Sequence, residues 1–145
     1  MMEVIISICT KEIYKDVYAI TSHTGKAIED IDKVSLSEDD IRIIEPFMKE
    51  SASELSDVIS SYGTLSFDSD TIRVDLSLPS NWKEDVKPTL TQCIKNYISN
   101  SICQRWFAIT RNDYVKYYAD KVVVNSNNII KLLCERNRPE RYGRK

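Results

Sequence analysis

Three stretches of the chain alternate apolar and polar residues, which is the two-residue period of a β-strand. The first, residues 2–9, is short and β-branched and carries Val4 and Ile6 on one face. The other two lie within residues 64–78 and are separated by residues 68–70, which predicts a β-hairpin with one wet face. Because an isolated hairpin is only marginally stable, we expect the N-terminal strand to join it.

Four other stretches repeat apolar residues every three or four positions, which is the period of an amphipathic helix. The first is predicted to begin at Thr10, whose hydroxyl can cap it, and to end at Gly25, where left-handed backbone is available. The second is predicted to begin at a Ser37 cap and to end at Gly63. Pro46 lies inside this second helix and is expected to kink or restart it, because proline lacks an N–H and clashes with the preceding turn.

The last two helices are predicted to be long. The third is expected from a capping residue at Asn81 to about residue 107, and Pro88 in its first turns predicts a kink or a late start. The fourth is expected from a Thr110 cap to about residue 136. Residues 125–128 are poor helix formers, so a break at that point is also considered.

Together these elements predict an α+β fold that is mainly α, with about four helices, a hairpin and an N-terminal strand in a small antiparallel sheet. The length of 145 residues fits one domain that can bury a real core. We expect residues 1–134 to form this single helical domain, with the hairpin near 64–78. Residues 135–145 are expected to form a basic and flexible C-terminal arm.

Charge is distributed unevenly along the chain. The formal net charge is −2, which is too small to imply nucleic-acid or membrane binding by the chain as a whole. Residues 135–145 carry five positive and two negative charges, so the arm is +3 and the residues before it are −5. The arm is predicted to bind a partner through Arg136, Arg138, Arg141, Tyr142, Arg144 and Lys145.

Two interpretations of the arm stay open at this point. It is either a solvated chain end or a segment that orders on an acidic partner. Its arginines outnumber its single lysine, which favours bidentate contacts with carboxylate or phosphate groups. The partner in the second interpretation is a neighbouring subunit or packaged DNA.

Aromatic and basic residues interleave around the start of the fourth helix. Tyr114, Tyr117 and Tyr118 fall at i, i+3 and i+4, which favours packing on one helix face, and adjacent tyrosines leave one ring partly outward. Aromatic residues with a polar tip are enriched at protein interfaces. We therefore predict Trp106, Tyr114, Tyr117 and Tyr118 as interface aromatics, with stacking on single-stranded nucleic acid as the alternative.

The sequence lacks the motifs on which enzymatic chemistry usually depends. There is no Gly-x-Ser-x-Gly elbow, no phosphate-binding loop and no dinucleotide fingerprint. The one histidine, His23, is expected to be a polar cap or surface residue, and helix capping explains the acidic residues 38–40. The four cysteines form no Cys-x-x-Cys pair and are expected to be buried thiols in a reducing compartment. We therefore expect no enzyme, no cofactor, no metal site and no membrane span.

Several segments follow one another in a recognisable order. An acidic-capped helix start at 37–41 leads into a helix with small residues at 50–55, and a β-hairpin follows. A long helix pair at 86–107 and 112–133 and a basic closing segment complete the order. Over roughly residues 37–138, this pattern resembles the small head–tail connector (adaptor) proteins of tailed phages, without a signature motif.

The resemblance implies a structural virion protein, assembled in the host cytoplasm, that forms a homo-oligomeric ring on the portal. Portal and tail or neck proteins would be its partners, and DNA would pass through the channel of the ring. An acidic body suits such a channel, because like charge repels the phosphate backbone. Two alternatives are kept: a helical adaptor that docks one cellular protein, and a small nucleic-acid binder that uses Arg105, Lys116, Lys121 and the arm.

Overall fold

A computed structural model of the chain describes residues 1–27, 41–68, 70–110 and 112–136. Short 3-10 turns precede the last two helices, at Glu84–Val86 and Asn112–Tyr114. The predicted α+β class is confirmed, since the described residues form four helices and one small antiparallel sheet. In chain order the elements are β1 (Met2–Cys9), α1 (Thr10–Ala27), α2 (Ile41–Val58), β2 (Gly63–Asp68), β3 (Thr71–Leu78), α3 (Lys87–Thr110) and α4 (Val115–Leu133).

The sheet has β3 at its centre, in the order β1-β3-β2. Strand β1 pairs with β3 without interruption, from Met2 opposite Leu78 to Cys9 opposite Thr71. The N-terminal strand thus joins the hairpin, as the sequence predicts. Strand β3 has one buried face and one solvent-facing face, as its alternating pattern predicts. Arg73 is exposed on the outer face, and the buried residues of the inner face are Ile72, Val74, Leu76 and Leu78.

Helix α3 lies at the centre of the helical layer, with α1, α2 and α4 packed around it. This position explains why α3 buries residues on several sides and has no single apolar face. An ion pair of 3.0 Å between Lys95 Nζ and Glu12 Oε2 joins α3 to α1. The helices close over the inner face of the sheet, where Val4, Ile6 and Ile8 of β1 are buried.

The ends of α1 and α2 differ from the sequence prediction. The Thr10 N–H and hydroxyl both donate to the Asp70 carbonyl oxygen, at 2.9 and 3.2 Å, so this side chain ties α1 to the hairpin instead of capping its own helix. Helix α1 continues past Gly25 to Ala27. Helix α2 contains Pro46 and remains one helix, and a turn separates its end from Gly63, which begins β2.

The late start predicted for α3 is confirmed, because Pro88 is its second residue and the missing N–H is tolerated in a first turn. The Asn81 cap is wrong: the chain turns there, and the Trp82 N–H donates to the Pro79 carbonyl at 2.9 Å. The Thr110 cap is also wrong, since its hydroxyl donates to the Trp106 carbonyl at 3.0 Å within α3. Helix α4 runs through residues 125–128 without a break.

Other predictions fall outside the described part of the chain. They are the Ser37 cap, the acidic residues 38–40, the side chain of His23 and the arm from residue 137 onward. Among the helices that the structure describes, none combines the length and apolar character that a membrane crossing requires.

Candidate interaction surface

The four predicted interface aromatics occupy different environments. Trp106 and Tyr118 are 3% and 5% exposed and belong to the core, so the prediction that they meet a partner is corrected for both. Tyr114 is partly buried, with its ring centre 5.5 Å from that of Phe107. Tyr117 is 54% exposed and remains the candidate contact residue of this group.

The reason for this division is the direction of neighbouring positions on a helix. Tyr117 and Tyr118 are consecutive, and a step of about 100° between residues sends the two rings to different sides of α4. The Tyr118 ring stacks on Phe107 of α3 at 5.1 Å, while Tyr117 meets Tyr118 edge-on at 5.1 Å from the solvent side. The tyrosine spacing alone did not indicate which side would face α3.

The exposed face of α4 carries a row of two apolar side chains with a lysine between them. Tyr117, Lys121 and Val124 occupy successive turns, and we call these three residues the α4 stripe. Val124 is 56% exposed, and its neighbour Val123 is 58% exposed. The Lys121 Nζ lies 4.5 Å from the centre of the Tyr117 ring, which is a cation–π contact. Tyr117 and Val124 thus expose apolar surface on one side of α4, and aromatic residues with a polar tip are enriched at protein contact surfaces.

The α4 stripe forms one wall of a groove of about 390 Å³, whose other wall is α3. Asn96 and Asn100 line the groove from α3 and Asn125 lines it from α4. A hydrogen bond of 2.8 Å from Asn100 Nδ2 to Asn125 Oδ1 joins the two helices at this point. A second groove of about 270 Å³ lies on the other side of Asn96 and Asn100 and is bounded by Asp16 of α1.

The first residues of the predicted arm belong to the folded body. Arg136 forms a β-bridge with Trp82, and the Lys83 N–H donates to the Glu135 carbonyl at 3.3 Å. The Arg136 Nη1 donates to the carbonyl oxygens of Leu133 and Glu135, both at 2.9 Å. This guanidinium therefore caps the negative end of α4, which differs from its predicted role in partner binding.

The remaining residues of the predicted arm lie outside the described residues, namely Arg138, Arg141, Tyr142, Arg144 and Lys145. These residues follow Arg136 closely in sequence, and Arg136 is bonded to the folded body. The contacts of Arg136 with Trp82 and with the end of α4 fix the position of the last described residue.

Arg105, a candidate phosphate contact in the nucleic-acid alternative, is engaged inside the protein. Its Nε donates to Glu50 Oε2 at 3.0 Å, and its Nη2 pairs with Glu54. Its Nη1 also reaches Ser51 Oγ at 3.3 Å and the Ser101 hydroxyl. The guanidinium therefore fastens α3 to α2 and is not available to a phosphate.

The sequence reasoning missed this cluster, although a signal was present. Glu50 and Glu54 are four residues apart on α2 and so project from the same side of the helix. That pair of carboxylates marks a position where a cation is favoured. Only the packing of α2 on α3 identifies Arg105 as that cation, because the two segments are about fifty residues apart in sequence.

The cysteines divide into two environments. Cys103 is buried, and desolvation raises the pKa of its thiol to about 12, while burial also raises the pKa of Cys93. Cys9 and Cys134 are exposed, so the expectation that all four thiols are buried is wrong for these two. The Tyr62 hydroxyl lies 3.3 Å from Cys134 Sγ, and this contact is the main cause that raises the pKa of Tyr62. Within the described residues, no three histidine, cysteine or carboxylate side chains are grouped to hold a metal ion.

No protein-family model matches the chain, and neither does any curated protein or solved structure.

Proposed function

We propose that this chain is a non-catalytic structural subunit that self-associates through the α4 stripe into a ring, in the manner of a tailed-phage head–tail connector. The observation that carries the proposal is the exposed stripe itself, in which Tyr117 and Val124 present apolar side chains to solvent from a helix that packs on α3 through its other side. A partner surface that covers these side chains removes apolar area from water. Burial of a valine or a larger apolar side chain contributes about 1.5–3 kcal/mol.

A ring requires that the two contacting surfaces of a subunit be different. A contact between identical patches closes as a dimer, whereas a head-to-tail contact between different patches generates a ring or a filament. The chain offers two separated features: the α4 stripe, which begins at Tyr117, and the exit of the arm after Arg136. Along the axis of α4, Leu133 lies about 14 Å from Val124 and about 24 Å from Tyr117. This separation supports head-to-tail association.

The distribution of charge supports the more specific part of the proposal. The basic segment after Arg136 suits a contact with an acidic neighbour, and the acidic remainder suits a channel through which DNA passes without adhering. Portal and tail or neck proteins are the partners that the resemblance implies. Assembly in the host cytoplasm and incorporation into a virion belong to the same proposal.

Light-scattering mass measured during size exclusion tests self-association, with the full chain studied over a range of high concentrations. We expect a mass that rises with concentration, and negative-stain images with closed rings around a central channel. Val124→Glu places a charge in the stripe and should return the chain to a monomer. Ile43→Glu is the matched control, because Ile43 is also exposed but lies on α2.

A strict monomer at every concentration would contradict the proposal. Equal loss of association in Val124→Glu and Ile43→Glu would contradict the role of the stripe, since the effect would then be one of charge alone. Binding of DNA by the full chain that falls steeply with salt would instead favour the nucleic-acid alternative. Circular dichroism of each variant verifies that the helices are retained.

A further inference from the structure

The polar floor between the two grooves has an ordered set of free hydrogen-bonding groups. Gln92, Asn96 and Asn100 lie four residues apart along α3, and we call them the amide ridge. Gln92 Nε2 donates to Asn96 Oδ1 at 3.0 Å, and Asn100 Nδ2 donates to Asn125 Oδ1 at 2.8 Å. The side-chain atoms that bond to no other described residue are therefore the oxygen of Gln92, the NH₂ of Asn96, the oxygen of Asn100 and the NH₂ of Asn125, and the donating NH₂ groups of Gln92 and Asn100 each keep a second N–H.

This order alternates acceptor and donor, as does one edge of an extended polypeptide. Positions four residues apart on a helix are about 6 Å apart along the axis. N–H and C=O groups that face the same way along an extended strand repeat every two residues, which is about 6.7 Å. The amide ridge therefore offers one hydrogen-bonding partner for every two residues of a strand edge, at a similar spacing and over about four residues of the strand.

Two further features of the grooves indicate that they receive a ligand. The Ser99 hydroxyl lines the groove beside α1 and is buried without a hydrogen-bond partner in the described part of the chain. A buried hydroxyl of this kind usually has a partner, because leaving it unpaired costs free energy. Asp16 and Asp120 stand on opposite walls, and neither forms an ion pair with a described residue. The walls of the two grooves together therefore carry two carboxylates without an ion pair, Asp16 and Asp120, and one ammonium group, that of Lys121.

We propose that the amide ridge and its two grooves bind residues 137–145 of a second copy of this chain as an extended segment. The segment Asn-Arg-Pro-Glu-Arg-Tyr-Gly-Arg-Lys carries +3, which complements the excess of carboxylate in the grooves. Arginine side chains donate to carboxylates and to amide oxygens, and Pro139 favours extended backbone at Arg138. This inference rests on the proposed function, because it names the segment that the neighbouring subunit inserts.

The length of the segment is adequate for a contact between copies. Nine extended residues reach about 30 Å, while the amide ridge from Gln92 to Asn100 is about 12 Å long. About five residues therefore remain to cross from the exit at Arg136 to the next copy. The exit and the ridge lie on different parts of the surface, so the contact is head-to-tail and propagates around a ring.

Complementation between two variants of the full chain tests the inference. The ridge variant, Asn96→Ala with Asn100→Ala, should weaken self-association about tenfold, since two modest hydrogen-bonding contributions are lost. The arm variant, Arg138→Gln with Arg141→Gln and Arg144→Gln, should weaken it to a similar extent. An equimolar mixture should recover heterodimers, because the intact ridge of the arm variant can receive the intact arm of the ridge variant.

The matched control is Asn127→Ala with Asn128→Ala, which removes two exposed amides of α4 outside both grooves and should leave association unchanged. Full association of the wild-type chain, together with wild-type association of the ridge and arm variants, would overturn this inference and leave the α4 stripe proposal intact. Weakening of both variants without recovery in the mixture would also overturn it, because the arm would then occupy its own ridge. A monomeric wild-type chain would overturn the proposed function itself.

Discussion

The indole Nε1–H of Trp82 donates a hydrogen bond of 3.0 Å to the carbonyl oxygen of Leu132. This contact joins the turn before α3 to the last turn of α4, whose final carbonyls have no partner within their own helix. Trp82 is fully buried, and its backbone also bridges to Arg136. Trp82 therefore fills part of the core with its side chain and fixes the position of Arg136 with its backbone.

Trp82→Phe should lower the free energy of unfolding by about 1–3 kcal/mol, because it removes the indole hydrogen bond and leaves a smaller ring in a fully buried site. Urea unfolding followed by circular dichroism measures the change through the transition midpoint. Lys83→Ala is the control, since its side chain is exposed and its backbone bond to Glu135 is retained. Equal midpoints for Trp82→Phe and the wild type would show that the indole bond contributes nothing.

Arg105→Met should destabilise the fold by about 1–2 kcal/mol, because it removes the cation between Glu50 and Glu54 but keeps the apolar stem. The estimate is kept low because both carboxylates are half exposed and screened by solvent. Arg73→Met is the matched control: Arg73 pairs with Asp75 at 2.9 Å, but both side chains are exposed. This surface pair should contribute less than about 0.5 kcal/mol. A similar loss for both variants in urea unfolding would contradict the role given to Arg105.

Stability should fall above pH 9 because of Cys103. Burial raises the pKa of this thiol from its ordinary 9.0 to about 12 in the folded chain. Below pH 9 the thiol is neutral in both states and its contribution is fully present. Between pH 9 and 12 the unfolded chain loses the proton first, so stability declines by about 1.4 kcal/mol for each pH unit.

Urea unfolding at pH 8 and pH 10 checks this expectation when the wild type is compared with Cys103→Ala. The variant should lose about 1.4 kcal/mol less than the wild type between the two pH values, whatever its absolute stability. Tyrosines titrate in both proteins and cancel in the difference. An identical decline in the two proteins would mean that Cys103 is accessible to solvent.

Gly63→Ala should destabilise the sheet by about 1–3 kcal/mol or more, because a methyl group has no room at this position. An added Cβ would lie 2.8 Å from the Cα of Leu76 and closer still to the Asp75 carbonyl oxygen, so the backbone of β3 would have to move. Thr64→Ala, at the next and exposed position, is the control and should change stability little. Thermal unfolding of both variants tests this prediction. A normal melting temperature for Gly63→Ala would contradict the close approach of Gly63 to the β3 backbone.

Periodicity alone was enough to predict most elements of this protein. The alternation of Ile72, Val74 and Leu76 with polar neighbours defined β3, since a strand sends successive side chains to opposite faces. The antiparallel partnership of the hairpin with residues 2–9 followed from the instability of a hairpin alone. Predictions of caps were less successful, because Thr10 donates to the distant Asp70 carbonyl, while Thr110 is still part of α3 and donates to the carbonyl four residues before it.

The candidate surface was only partly predictable. Tyr117 was named together with Tyr118 and Trp106, and only Tyr117 of these three is exposed. The amide ridge was not predicted at all, because Gln92, Asn96 and Asn100 differ little in sequence from other polar positions of a solvated helix. Their significance comes from the grooves on both sides, which exist only once α1 and α4 pack against α3.

The spacing of apolar residues was sufficient to predict the strands, the approximate extent of the helices and the α+β class, and the charge count predicted an acidic body with a basic end. These features depend on neighbours within a few residues, where spacing fixes direction. Three features became visible only in the folded chain: Arg105 pairs with Glu50 and Glu54, Arg136 caps α4, and Trp106 lies in the core. The physical reason is that the free energy of a charged or aromatic side chain depends on what packs beside it. For Arg105 those neighbours are about fifty residues away, and for Arg136 they are carbonyl oxygens that are free only because α4 ends there.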